Sequence, residues 1–165
     1  MANDNTHIDW EIDQGGSIIH PNNTPGARLA ALVKRTADWN DFGSSAIAVP
    51  WDAEEYDIGG WHDNATNNTR LTVPSGVSRV LLQANIVTDN AGGRMTCFCY
   101  KNGSSFVGSP IRYLEIGSSS EDFNIQSAEV EVTSGDYFEV MLNVNSTTRD
   151  VLFNNSTWFF IRAIE

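Results

Sequence analysis

The sequence predicts a single all-β domain, an antiparallel sandwich or jelly roll. Two observations carry this. Several strand-length stretches alternate apolar and polar residues with period two, and short turn-forming clusters separate them. A third observation concerns the last strand, which is apolar on both faces and therefore needs a cover that a two-sheet sandwich does not supply.

The alternation is clearest in the second half of the chain. Val80, Leu82, Ala84 and Ile86 share one face of a strand, with Gln83 and Asn85 on the other. Ala128, Val130 and Val132 alternate with Glu129, Glu131 and Thr133, and Phe138, Val140, Leu142 and Val144 alternate with Glu139, Met141 and Asn143. Pro74-Ser75-Gly76, Asn90-Ala91-Gly92-Gly93, Asn102-Gly103 and Ser134-Gly135-Asp136 punctuate these runs as turns. Earlier, a strand is expected near Ala27–Arg35, a turn over Asp38–Gly43 and a second strand near Ala46–Trp51. The stretch Leu29–Arg35 also fits one or two helical turns, but it is short and lacks a C-terminal glycine, so we read it as strand.

In Trp158–Ile164, Phe159, Ile161 and Ala163 form one face, and Trp158, Phe160 and Ile164 form the other. A subunit interface is the simplest cover for the second face; a local arm folded over it is the alternative. Residues 1–25 have a different character. They are polar, broken at Gly15-Gly16 and at Pro21–Pro25, with isolated apolar residues. Ile8, Trp10 and Ile12 fall on one face of an extended segment. The segment reads either as a frayed terminus or as an arm that docks on a neighbour. Residues 26–165 form the jelly-roll domain.

Composition narrows the function classes. The 165 residues are 41% hydrophobic and carry a formal charge of −11, which suits a folded domain but not binding to nucleic-acid phosphates or anionic membranes. Neither a signal peptide nor a membrane span is expected. Cys97 and Cys99, at i and i+2 on one strand face, are expected to be buried free thiols.

No catalytic, cofactor or metal site is expected. The densest polar stretch runs from Trp51 to Asn64, with several carboxylates, His62 and three aromatics. It lacks the spaced aspartates of a calcium loop, and turns pinned by Asx hydrogen bonds are the expectation there. His7, His20 and His62 lack zinc-ligand spacing, and no nucleophile elbow occurs. A depolymerase acting through the carboxylates of Asp52–Asp63 is a remote alternative, which loss of polysaccharide cleavage on mutating Glu54 and Asp57 would support.

The stretch Ala48–Asp63 resembles the early strands of C1q/TNF-like jelly rolls in bacteriophage virion proteins, which carry a pattern like F-D-x-E-x-Y-D-T-x-G-x-H-D. The ordered series continues with Leu71-Thr72-Val73-Pro74-Ser75-Gly76-Val77, with Cys99-Tyr100-Lys101-Asn102-Gly103, with Ser134-Gly135-Asp136-Tyr137-Phe138-Glu139-Val140 and with Trp158–Ile164. The resemblance spans residues 27–165. It implies a ten-stranded, non-enzymatic jelly roll that trimerises around its C-terminal strand, with Trp158, Phe160 and Ile164 at the trimer interface. The resulting expectation is a trimeric capsid decoration protein on the virion surface, made in the host cytoplasm. Its arm, through Ile8, Trp10 and Ile12, would contact the major capsid protein or another virion protein. The alternative is a receptor-binding tip of a tail fibre or baseplate, recognising host-surface glycan or protein, with Trp39, Trp51 or Trp61 as platforms.

Overall fold

Strand alternation sorts the chain into inward and outward rows, and the computed structural model shows where each row goes. It describes residues 11–12, 18–19, 29–42, 44–89, 93–116, 120–145, 149–153 and 156–164. In chain order the strands are β1 (Glu11–Ile12), β2 (Ile18–Ile19), β3 (Ala30–Lys34), β4 (Trp39–Phe42), β5 (Ile47–Ala48), β6 (Ala53–Ile58), β7 (Arg70–Thr72) and β8 (Arg79–Thr88). They continue with β9 (Gly93–Lys101), β10 (Ile111–Ile116), β11 (Glu121–Gln126), β12 (Val130–Glu131), β13 (Tyr137–Val144), β14 (Arg149–Val151) and β15 (Trp158–Ile164). Every pairing between them is antiparallel.

Two sheets make the sandwich. One runs β10-β9-β13-β5, with β7 also on β13; the other runs β4-β14-β8-β15-β3-β6, with β11 and β12 also on β8. The first sheet turns Met95, Cys97, Cys99, Phe138, Val140 and Leu142 inward, and the second turns Val33, Leu82, Ala84, Ile86, Phe159 and Ile161 inward. Each of these is essentially inaccessible to water. Phe159 sits centrally, bonded into the sheet between β3 and β8 and facing the Trp51 ring at 5.9 Å. Both cysteines are free and buried, and burial pushes the Cys99 thiol up to about 12.

Three local expectations need correction. The turn expected over Asp38–Gly43 contains β4, because Trp39–Phe42 finds a partner in β14 from the far end of the chain. The strand expected near Ala46–Trp51 is reduced to β5: Pro50 has no N–H to donate, and the Trp51 N–H bonds to Asn68 O at 2.8 Å instead of to the sheet. The stretch read as turns after Trp51 begins with a six-residue strand, β6. Within the arm, β1 and β2 pair as a small separate sheet, Glu11 opposite Ile19 and Ile12 opposite Ile18; Ile8 and Trp10 lie outside the described residues.

A polar knot ties two turns together at one end of the sandwich. Asn102 and Gly103 take positive φ (53° and 75°), the signature of a tight hairpin turn. The Asp136 carboxylate accepts from Asn102 Nδ2 at 2.7 Å and from the Thr133 N–H at 2.9 Å, and it pairs with Lys101 Nζ at 2.9 Å. Desolvation alone would raise its pKa, but these bonds outweigh it and hold the carboxyl at about 2, against an ordinary 3.8. A depressed folded-state pKa stabilises above the unfolded value and is lost as pH falls through the folded one. We therefore expect the stability gap between wild type and Asp136→Asn, measured by urea unfolding, to shrink as pH falls from about 4 to about 2. A gap constant across that window contradicts the assignment.

Candidate functional site

Two regions drew attention in the sequence, the acidic stretch after Trp51 and the second face of the last strand. They have different roles in the fold.

The acidic stretch is a brace. Asp52 joins the end of β3 to the start of β6: its carboxylate accepts from the Thr36 N–H at 2.6 Å and pairs with Arg35 at 3.0 Å, while Arg35 donates to Pro50 O at 2.7 Å. Asp57 caps the turn after β6. It accepts from the backbone N–H groups of Gly60 (3.1 Å), Trp61 (2.9 Å) and His62 (3.0 Å). Trp61 closes the turn by donating its indole N–H to Ile58 O at 3.1 Å. Asp63 starts the next turn, accepting from the Ala65 and Thr66 N–H groups and the Thr66 hydroxyl, and these bonds lower its pKa. Gly59 is required by this geometry. Its φ is +120°, and a Cβ there would stand 3.0 Å from Leu29 Cδ2 and 3.2 Å from Trp61 Nε1.

The one histidine here is already committed. His62 Nδ1 lies 3.0 Å from Glu54 Oε1 and Nε2 lies 3.3 Å from Asn68 O, and its side chain is wholly shielded from solvent. Glu54 Oε1 also accepts from Asn64 at 2.9 Å. A ring with oxygen acceptors at both nitrogens and no access to solvent has nothing left to offer a substrate. Among the described residues, no group of three His, Cys, Asp or Glu side chains is placed to hold a metal ion.

Trp51 and Trp61, expected as possible ligand platforms, are core residues, 0% and 1% exposed. Trp39 is partly buried and packs against the same core. Buried as they are, Trp51 and Trp61 offer no open ring face to a ligand.

The second region is an open surface. Because Phe159 and Ile161 point inward, Trp158, Phe160, Arg162 and Ile164 point outward. Pairing aligns largely apolar rows, interrupted by polar residues, across the strands. Tyr56, Leu32 and Phe160 stand side by side across β6, β3 and β15, followed by Gln83 on β8. Ile58, Ala30, Arg162 and Leu81 form the next row. Tyr56 and Ile58 remain 39% and 43% exposed, while Trp158, Phe160 and Ile164 are half-buried. The three residues expected at an interface share this outward face with Leu32, Tyr56 and Ile58. Tyr56 and Ile58 were not legible as part of it because the stretch after Trp51 reads as turns, whereas it forms β6.

We expect Asp57→Ala to lower stability by about 2–3 kcal/mol in urea unfolding, since three N–H groups lose their acceptor. Asp57→Asn keeps an oxygen for Gly60 and Trp61, so it is expected to lose less. Equal losses for the two variants contradict the brace.

No family model matches the chain, and no curated protein matches it either. Solved structures do. Murine APRIL at pH 5.0 superposes with a TM-score of 0.58 at 12% identity, over 83% of this chain and 99% of that one. Eiger TNF from S. frugiperda superposes with a TM-score of 0.50 at 11% identity, over 84% of this chain and 93% of that one. At such identities the likeness concerns the fold, and the fold of this chain is a TNF-like jelly roll.

Proposed function

We propose that this chain is a non-enzymatic, homotrimeric structural protein of a phage virion surface, a capsid decoration protein attached to the shell through residues 1–25. One observation carries the trimer: the outward face of β15 and its neighbours gathers Tyr56, Ile58, Leu32, Phe160 and Trp158, with Arg162, Lys34 and Gln83 among them. Left in water, such a surface loses hydrophobic free energy in proportion to its area. Association around the last strand covers it, and this is the mode implied by the resemblance in the Ala48–Asp63 stretch. The virion placement rests on that resemblance. The absence of catalysis fits the acidic stretch, whose side chains brace turns.

Phe160 is the central test of the trimer. We expect the wild type to have the mass of a trimer in light scattering and Phe160→Asp to be a folded monomer, because the carboxylate would be buried unpaired in the interface. A wild-type monomer contradicts the trimer. Attachment is tested separately. Deleting residues 1–25 is expected to abolish binding to particles lacking the protein while leaving the trimer intact. Undiminished binding contradicts the role of the arm.

A further inference from the structure

The other sheet has an exposed face of its own, and its chemistry differs. Along β9 the inward row is Met95, Cys97 and Cys99, so Thr96, Phe98 and Tyr100 point outward. Register places Ile111 of β10 beside Phe98, Tyr113 beside Thr96, and Asn143 of β13 on the far side of Thr96. The result is an open concavity of about 340 Å³, at the small end of ligand-site volumes, about 300–1,000 Å³. Ile111 and Tyr113 are 55% and 53% exposed.

Three properties define its occupant. First, the walls are aromatic: Phe98 and Tyr100 meet edge-on at 5.1 Å, and Arg94 holds the Tyr113 ring from one side at 4.9 Å. Second, hydroxyl and amide groups lie among the rings: Thr96, Ser105 and Asn143 line the same hollow. Asn143 donates to Ser44 O, which fixes its amide in place. Third, the residues that line the hollow are themselves uncharged, and the Arg94 guanidinium beside it is engaged on the Tyr113 ring. A purely apolar partner leaves the hydroxyls unpaired at a cost.

We infer that this groove is a binding site for a neutral saccharide. A pyranose ring presents weakly positive C–H groups on one face, which suit the negative face of an aromatic ring, and a rim of hydroxyls, which suit Thr96, Ser105 and Asn143. The groove lies on the opposite sheet from the apolar β15 surface. The inference therefore goes beyond the trimer and does not depend on it.

The test is NMR titration of the full chain with maltotriose, cellotriose, chitotriose and β-1,4-galactobiose, each to millimolar concentration. At least one is expected to shift the ring signals of Phe98, Tyr100 and Tyr113. Tyr113 lies on an edge strand and is half exposed, so Tyr113→Ala folds normally and is expected to weaken that sugar by about three- to tenfold, with Tyr113→Phe close to wild type. No shift with any of the four, or equal affinity in Tyr113→Ala, overturns the inference. Self-association abolished by Tyr113→Ala, with no sugar bound, also overturns it and assigns the groove to a second copy.

Discussion

Side chains alternate across a strand, and in β15 that constraint governs much of the molecule. Phe159 and Ile161 must enter the core, where Phe159 meets Trp51 between the two sheets. Once they do, Trp158, Phe160 and Ile164 have no choice but to face outward. A one-residue slip would exchange the two rows and bury Arg162 in their place. The apolar outer surface is thus a consequence of how the core is filled. It draws in Leu32 and Tyr56 because β3 pairs with β15, and β6 pairs in turn with β3.

The acidic stretch after Trp51 serves the same architecture. Trp51 and Trp61 fill the core from irregular segments, where the backbone has no sheet partners to hold it. Asp57 and Asp63 supply acceptors for the backbone around and after Trp61, while Asp52 takes the Thr36 N–H beyond the end of β3. Carboxylates do this better than neutral groups because each bond is charge-assisted. A dense run of acids with a histidine looks like chemistry in a sequence. Here it is the scaffold that lets two large rings leave the loops and enter the core.

How much of this was legible in the sequence depends on the element. β8, β13 and β15 were readable because one inward row of each is uniformly apolar. β4 was not, since Trp39-Asn40-Asp41-Phe42 becomes a strand only through pairing with β14, much later in the chain. β10 was passed over because apolar residues occur on both its faces, and β11 because only Phe123 and Ile125 mark its inward row. The saccharide groove was also missed, yet a signal existed. Placing Cys97 and Cys99 inward already places Phe98 and Tyr100 outward. Trp51 and Trp61 were misjudged for the opposite reason: nothing local distinguishes a loop tryptophan that faces water from one that turns into the core.

The central claim is that the face around Phe160 is covered by other copies of the chain. Its most direct test is the thermal midpoint as a function of protein concentration. Unfolding coupled to dissociation makes the midpoint rise with concentration by mass action. The account predicts a steady rise over about three orders of magnitude in concentration. A midpoint that stays constant across that range would contradict it, because the apolar face would then be stable in water without a partner.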